Sequence, residues 1–200
     1  MSTVSLRCRC GTVRAEVRAV SPATVNRVIC YCDDCQAFAR FLDRADVLDA
    51  AGGTDIVQLP PGRITFTSGI DRLACVRLSG SGLFRWYTTC CKSPIGNMVG
   101  PALPFIGVIR AFMDFEPSAV SPDEVLGLPL ASIFGKFAIG GCPRGAHPKA
   151  PAKLVLRAGR LMLGWWLRER SAAPFFDRVT RQPLALPRIL DPAERRAVTA

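Results

Sequence analysis

The chain of 200 residues has a single histidine, His147. With that one histidine in a loop-like stretch and no nucleophile elbow, a Ser/His/Asp hydrolase is excluded. A phosphate-binding glycine loop is missing too: Gly80 and Gly82 lie in a turn between two strands, with no helix following. No internal repeat is present, nor a motif that reads DNA or RNA. Acids are scarce, with 16 Asp+Glu against 26 Lys+Arg. A secretory signal is absent from Met1 to Gly11, which is short, polar and already carries cysteines. The expected compartment is therefore reducing and cytoplasmic, where clustered cysteines remain thiols and bind metal. Nine cysteines, an odd number, also argue against a complete disulfide framework.

What the chain does have is an apolar share of 49% with positive mean hydropathy, which fits a well-cored folded domain. Its charge is uneven. Residues 144–200 hold 12 Lys+Arg and 4 Asp+Glu, and so carry +8 of the net +10. A basic segment of this kind either forms a solvated surface or meets nucleic acid or an anionic membrane; the first is favoured.

Alternation over Thr12 to Val20 predicts a strand, with Val13, Ala15, Val17 and Ala19 on one side and Arg14, Glu16 and Arg18 on the other. Further strands are expected at Val25–Ile29, Asp55–Leu59, Arg63–Thr67, Leu73–Leu78, Leu83–Tyr87 and Val108–Phe115, with a short helix over Gln36–Leu42. Ser79-Gly80-Ser81-Gly82 makes the clearest hairpin turn. Ser121-Pro122-Asp123-Glu124 reads as a helix start.

Lys153 to Arg170 reads as the strongest helix, with a polar stripe of Lys153, Arg157, Arg160 and Arg168 opposite Leu154, Val155, Ala158, Leu161, Met162 and Trp165. It is too short and too charged to span a bilayer, which takes about 20 apolar residues. It either packs on its own domain or lies in a membrane interface, and packing is favoured. The proline-punctuated tail from Pro174 is expected to wrap the surface.

Seven of the nine cysteines fall in three clusters: Cys8-Arg9-Cys10, Cys30-Tyr31-Cys32-Asp33-Asp34-Cys35 and Cys90-Cys91. Spacings this short let two sulfurs turn onto one ion, and sulfur-rich tetrahedral sites suit zinc or iron. Cys8 and Cys10 make half of such a site, with Cys90 and Cys91 as the candidates for the other half. A structural zinc contributes on the order of 10–16 kcal/mol of apparent binding energy, comparable with a whole domain's stability of about 5–15 kcal/mol. Cys30, Cys32 and Cys35 offer three sulfurs, the layout of a catalytic zinc that keeps one position open. The alternative is one four-sulfur zinc with the remaining cysteines as core thiols.

These motifs resemble the glutathione-dependent formaldehyde-activating enzymes, a family that includes centromere protein V. That pattern is C-x-C-G, then C-x-C-x-x-C, then a closing C-x-x-C-G after a hairpin. The likeness covers about residues 5–100, through Cys8-Arg9-Cys10-Gly11, Cys30-Tyr31-Cys32-Asp33-Asp34-Cys35 and Cys91-Lys92-Ser93-Pro94. It implies a mainly-β, Mss4-like "β-tent" of antiparallel strands with zinc-binding cysteine turns. It also implies two zinc ions, one structural and one labile and catalytic, and a carbon–sulfur lyase reaction on S-hydroxymethylglutathione. The closing motif departs from the pattern. Thr88 stands where the family has its first cysteine, Cys90 directly precedes Cys91, and Lys92 replaces the glycine. This marks a divergent subfamily.

The sequence-based expectation is a zinc-binding β domain over residues 1–115 and an extension over 116–200 with its helix near 153–170, packed on the same domain. Cys8, Cys10, Cys90 and Cys91 hold a structural zinc; Cys30, Cys32 and Cys35 hold the second and carry the chemistry on a small thiol such as glutathione and an aldehyde. Asp33 or Asp34 would be at most a helper. Cys142 and His147 are weaker candidates to complete the second site, and Cys75 reads as a core thiol. The competing expectation is a non-catalytic, zinc-stabilised binding module that works through the basic carboxy-terminal segment.

Overall fold

The computed structural model describes residues 1–116, 120–169 and 171–199. In chain order they form β1 (Ser2–Arg7), β2 (Arg14–Val20), β3 (Asn26–Cys30), α1 (Asp33–Phe41), β4 (Thr54–Leu59), β5 (Ile64–Ser68), β6 (Leu73–Arg77) and β7 (Phe84–Thr88). There follow β8 (Pro94–Met98), β9 (Ile106–Ile109), β10 (Met113–Asp114), α2 (Pro122–Leu126), β11 (Ala131–Ile133), α3 (Ala152–Arg168), β12 (Arg188–Ile189) and α4 (Pro192–Thr199). The fold is mainly β.

There are two sheets where one small sheet was expected. The first is antiparallel in the order β10-β1-β2-β5; the second runs β11-β3-β4-β9-β8-β7-β6-β12. The larger sheet is mixed, because β11 lies parallel to β3 and β12 parallel to β6. Both parallel edges come from residues beyond 115, so the carboxy-terminal region completes the larger sheet.

Alternation in β2 buries Val13, Ala15 and Val17 and exposes Arg14, Glu16 and Arg18. It breaks at Ala19, whose φ of +56° turns Val20 inward in its place. The expected strand Val108–Phe115 is cut by a tight turn at Arg110–Phe112, which carries the chain from the larger sheet to the smaller. Ser121 caps α2 with a full capping box, as its sequence suggests.

The main core fills the space between the sheets, with Leu6, Val17, Ile64, Trp86, Ile95, Met98 and Phe112 all buried. The tail joins it rather than wrapping the surface. Phe175 and Phe176 are buried, 5.2 and 5.9 Å from Trp86 between ring centroids. Two large aromatic faces gain more by filling the core than by staying in water. A second cluster, including Phe38 of α1 and Leu42 just after it together with Val76, Leu78 and Leu190, forms a separate packed layer.

α3 spans Ala152–Arg168, and Arg170, expected at its end, lies outside the described residues. The expected apolar face holds at Ala158, Leu161 and Met162, which are half-buried, and departs at Val155. Leu154 and Trp165 are its buried residues, whereas Val155 points outward. Arg157, expected on the polar stripe, points inward and donates to Asn26 Oδ1 at 2.7 Å and to the carbonyls of Pro22 and Val25. Its guanidinium thus satisfies three acceptors at the base of the helix. Among the described residues, no helix is long and apolar enough to cross a membrane.

Candidate metal centres

Cys8 follows directly on β1, and the chain then turns back into β2. The Gly11 N–H donates to the Cys8 carbonyl at 2.9 Å, and the Cys8 N–H to the Val13 carbonyl at 3.0 Å. Gly11 has φ +77°, which only glycine adopts cheaply. Both sulfurs of this turn face the turn between β7 and β8, which carries Cys90 and Cys91. The two sheets thus meet at four cysteines.

Cys8, Cys10, Cys90 and Cys91 have sulfurs all within 4.8 Å of one another. The resolved separations are 3.5 Å for Cys8–Cys10, 3.8 Å for Cys8–Cys90, 3.4 Å for Cys10–Cys90 and 3.9 Å for Cys90–Cys91. A tetrahedron with metal–sulfur bonds of about 2.3 Å has edges of about 3.8 Å. Two adjacent cysteines reach one point here because they sit in a tight turn rather than a strand. Lys92 closes that turn with φ +52°, at the position where the resembling pattern carries glycine.

Hydroxyls support this group from behind, and the sequence alone did not single them out. Ser93 Oγ accepts from the Arg9 N–H at 3.0 Å and from Arg44 Nη1 at 3.1 Å. With both lone pairs engaged, its proton goes to Cys91 Sγ, 3.2 Å away. Thr88 Oγ1 accepts from the Ser93 N–H at 3.1 Å and lies 3.5 Å from the same sulfur. Burial alone would raise the Cys91 thiol. The hydrogen bonds from Ser93 and Thr88, with help from Cys10, outweigh it and take the pKa down to about 5. Thr88 thus serves Cys91 as a donor where the resembling pattern has a thiol.

The second group is local. Cys30 ends β3, Cys32 is the N-cap of α1, and Cys35 lies in its first turn. Their sulfurs are 3.3 Å (Cys30–Cys32) and 3.8 Å (Cys30–Cys35) apart. Cys30 and Cys35 are buried and Cys32 is half-buried. Leu154, Ile133, Phe134 and Ala150 pack around them. Cys30 and Cys35 are pushed up to about 12, first by thiol–thiol hydrogen bonds, with Cys32 and Cys30 respectively, and also by burial. Cys32 is favoured the other way by its bond with Cys30, yet Cys35 and burial still take it to about 12. Arg85, its side chain 1% exposed, sits close enough for its charge to favour the Cys35 thiolate.

Among the described residues, no fourth His, Cys, Asp or Glu joins this trio. Asp34 is spoken for: it pairs with Arg85 at 3.3 Å and with Arg195 at 3.7 Å. Asp33 is exposed at the helix start. Cys142 is exposed, with its sulfur near the carbonyls of Pro143 and Ala146. His147 holds a bridge to Ile133 through its backbone. Cys75 is a buried thiol in β6. An open cleft of about 500 Å³ lies beside the first group, lined by Cys8, Arg9, Arg44, Asp46, Ser93 and Arg110 among others. Beside Cys35 there is a space of only about 10 Å³.

Residues 1–183 match the family of unknown function DUF6151. The chain belongs to that family. No curated relative matches this DUF6151 chain. Among solved structures, it is similar to a Rhodobacter sphaeroides protein from a structural genomics programme. The likeness has 17% identity, covers 59% of this chain and 91% of that one, and has a TM-score of 0.39. A likeness of that degree fixes neither fold nor activity. The resemblance to formaldehyde-activating enzymes is carried by the cysteine motifs alone.

Proposed function

We propose that this is a two-zinc protein of β-tent type, with a closed structural ion at Cys8, Cys10, Cys90 and Cys91. A second ion, held by Cys30, Cys32 and Cys35, would serve reversible carbon–sulfur bond formation between a small thiol and an aldehyde. The observation that carries this reading is the converging sulfur trio, which lacks a fourth donor from the described chain. Sulfur ligands in tetrahedral array favour zinc among common metals. Zinc held by three protein ligands supplies an open position at which an incoming thiol loses its proton at neutral pH.

The chain's own contribution is to hold and tune the trio. The start of α1 directs its positive end at Cys32 and Cys35, which favours thiolates there. Arg85 adds a fixed cation held by Asp34 and Asn97. Leu154, Ile133 and Phe134 exclude water from one side, leaving Cys32 as the sulfur nearest solvent. In the reaction, the substrate sulfur bonds the aldehyde carbon, the carbonyl π-bond breaks, and the proton given up by sulfur ends on the new hydroxyl. Cleavage runs the same steps backwards.

Native mass spectrometry with and without glutathione, and the absorption spectrum of cobalt-substituted protein, test this reading. Two metal equivalents are expected, with one spectrum component shifting as thiol is added. A single equivalent, or a spectrum indifferent to thiols, would overturn it. The apolar cover over the trio favours a second reading, a non-catalytic module with two structural ions. That reading predicts two metals and no response to thiol.

A further inference from the structure

We propose that α3 seats the protein on an anionic lipid surface. One side of the helix is fixed to the domain by Leu154, Trp165 and Arg157, and the Glu169 carboxylate just beyond it binds Arg63 at 2.7 Å. The other side is apolar and faces water. Val155 is 56% exposed, Leu156 64%, Leu163 58%, Trp166 44% and Leu167 59%. At 3.6 residues per turn these five positions fall within an arc of about 120°. An apolar arc of Leu, Val and Trp on a helix anchored by its opposite side is the geometry of an interfacial helix.

Charge selects the occupant. Lys153 and Arg160 border the arc on one side. With Leu156, Arg157 and Leu161 they line a groove of about 380 Å³. A groove lined by cations and leucines together suits a lipid phosphate and its acyl carbons. No Asp or Glu occurs between Glu124 and Glu169, a stretch that carries seven Lys+Arg. A second copy docking through this face would oppose Lys153 and Arg160 to cations of its own kind, with no acid on either helix to pair them. A lipid leaflet rich in phosphate meets both the arc and the rim.

The 200-residue, metal-loaded protein is floated with vesicles of phosphatidylcholine alone and with vesicles in which a third of the lipid is phosphatidylglycerol. Binding to the anionic vesicles is expected to be at least about ten-fold stronger. Tryptophan emission should shift to the blue as Trp166 leaves water. The double variant Leu156→Glu/Leu163→Glu should lose binding while keeping its circular dichroism and metal content, since both positions are exposed. Lys153→Glu and Arg160→Glu should each weaken binding at least about five-fold. No flotation, equal flotation with neutral vesicles, or flotation that survives the double leucine variant would overturn the proposal. So would a lipid-free dimer abolished by the double leucine variant, which would give the face to a second copy.

Discussion

Ser93 Oγ lies 3.2 Å from Cys91 Sγ and holds the buried Arg44 guanidinium at 3.1 Å on its other side. One hydroxyl thus supports a sulfur of the first metal group and satisfies an arginine. Ser93→Ala removes both contacts at once. Arg44 keeps Asp46, but its Nη1 loses its partner. We expect a stability loss of about 1–3 kcal/mol and metal affinity lower by about 10–100-fold. Urea unfolding and competition against a chromophoric chelator measure the two effects.

Each cysteine group should hold one metal independently. Cys8→Ser should reduce two equivalents to one and lower the unfolding midpoint strongly, because that group ties the small sheet to the large one. Cys32→Ser should also remove one equivalent, with a smaller stability loss, because its three donors lie within six residues. Cys75→Ser and Cys142→Ser should keep both equivalents. Metal counting by native mass spectrometry reads all four variants.

The Arg85–Asp34 pair joins β7 to the start of α1 at 3.3 Å, with Asn97 on Nη1 at 3.2 Å. Asp34→Ala leaves a buried cation short of its counter-charge. Loss of one partner of such a pair costs about 3–5 kcal/mol, discounted here because Asp34 is 41% exposed. A loss of about 2 kcal/mol in urea unfolding is expected. Arg85→Met, which removes the cation itself, should cost less.

Metal uptake should depend on pH at both groups. At pH 7 the trio is fully protonated, since its thiols are pushed up to about 12, so each must give up a proton to bind. Cys91, lowered to about 5, is already a thiolate. Cys90, pushed up to about 12, and Cys8, also raised, must give up theirs as well, so uptake at both groups should strengthen with rising pH, as read by the release of protons to an indicator dye. Cys75 gives a separate effect in the metal-loaded protein. Burial raises its pKa from 9.0 to about 12. Its contribution is complete below pH 9 and is lost as pH rises toward 12, because the unfolded chain ionises first. Cys75→Val should remove that part of the alkaline loss of stability.

Much of the sulfur geometry was readable because C-x-C and C-x-x-C spacings force neighbouring sulfurs together. The supporting hydroxyls were not readable: nothing near Thr88 or Ser93 says that a distant arginine will share them. Among the strands, β2 to β7 all show in their patterns. β8 does not, because Pro94 and Gly96 read as loop. Yet a Cβ at Gly96 would come within 2.7 Å of the Gly107 carbonyl, so the close approach of β8 and β9 demands glycine. The short edges β11 and β12 are defined by parallel partners more than 50 residues away, which no local period reveals. The burial of Phe175 and Phe176 is equally non-local, set by Trp86.

The two sulfur groups also differ in when they can first exist on a nascent chain. Cys30, Cys32 and Cys35 emerge from the ribosome almost together. Cys10 must wait for Cys90, 80 residues later, which takes roughly 4–16 s at about 5–20 residues per second. For that interval Cys8 and Cys10 are open to oxidants, so growth under peroxide stress should injure the newly made protein more than the finished one.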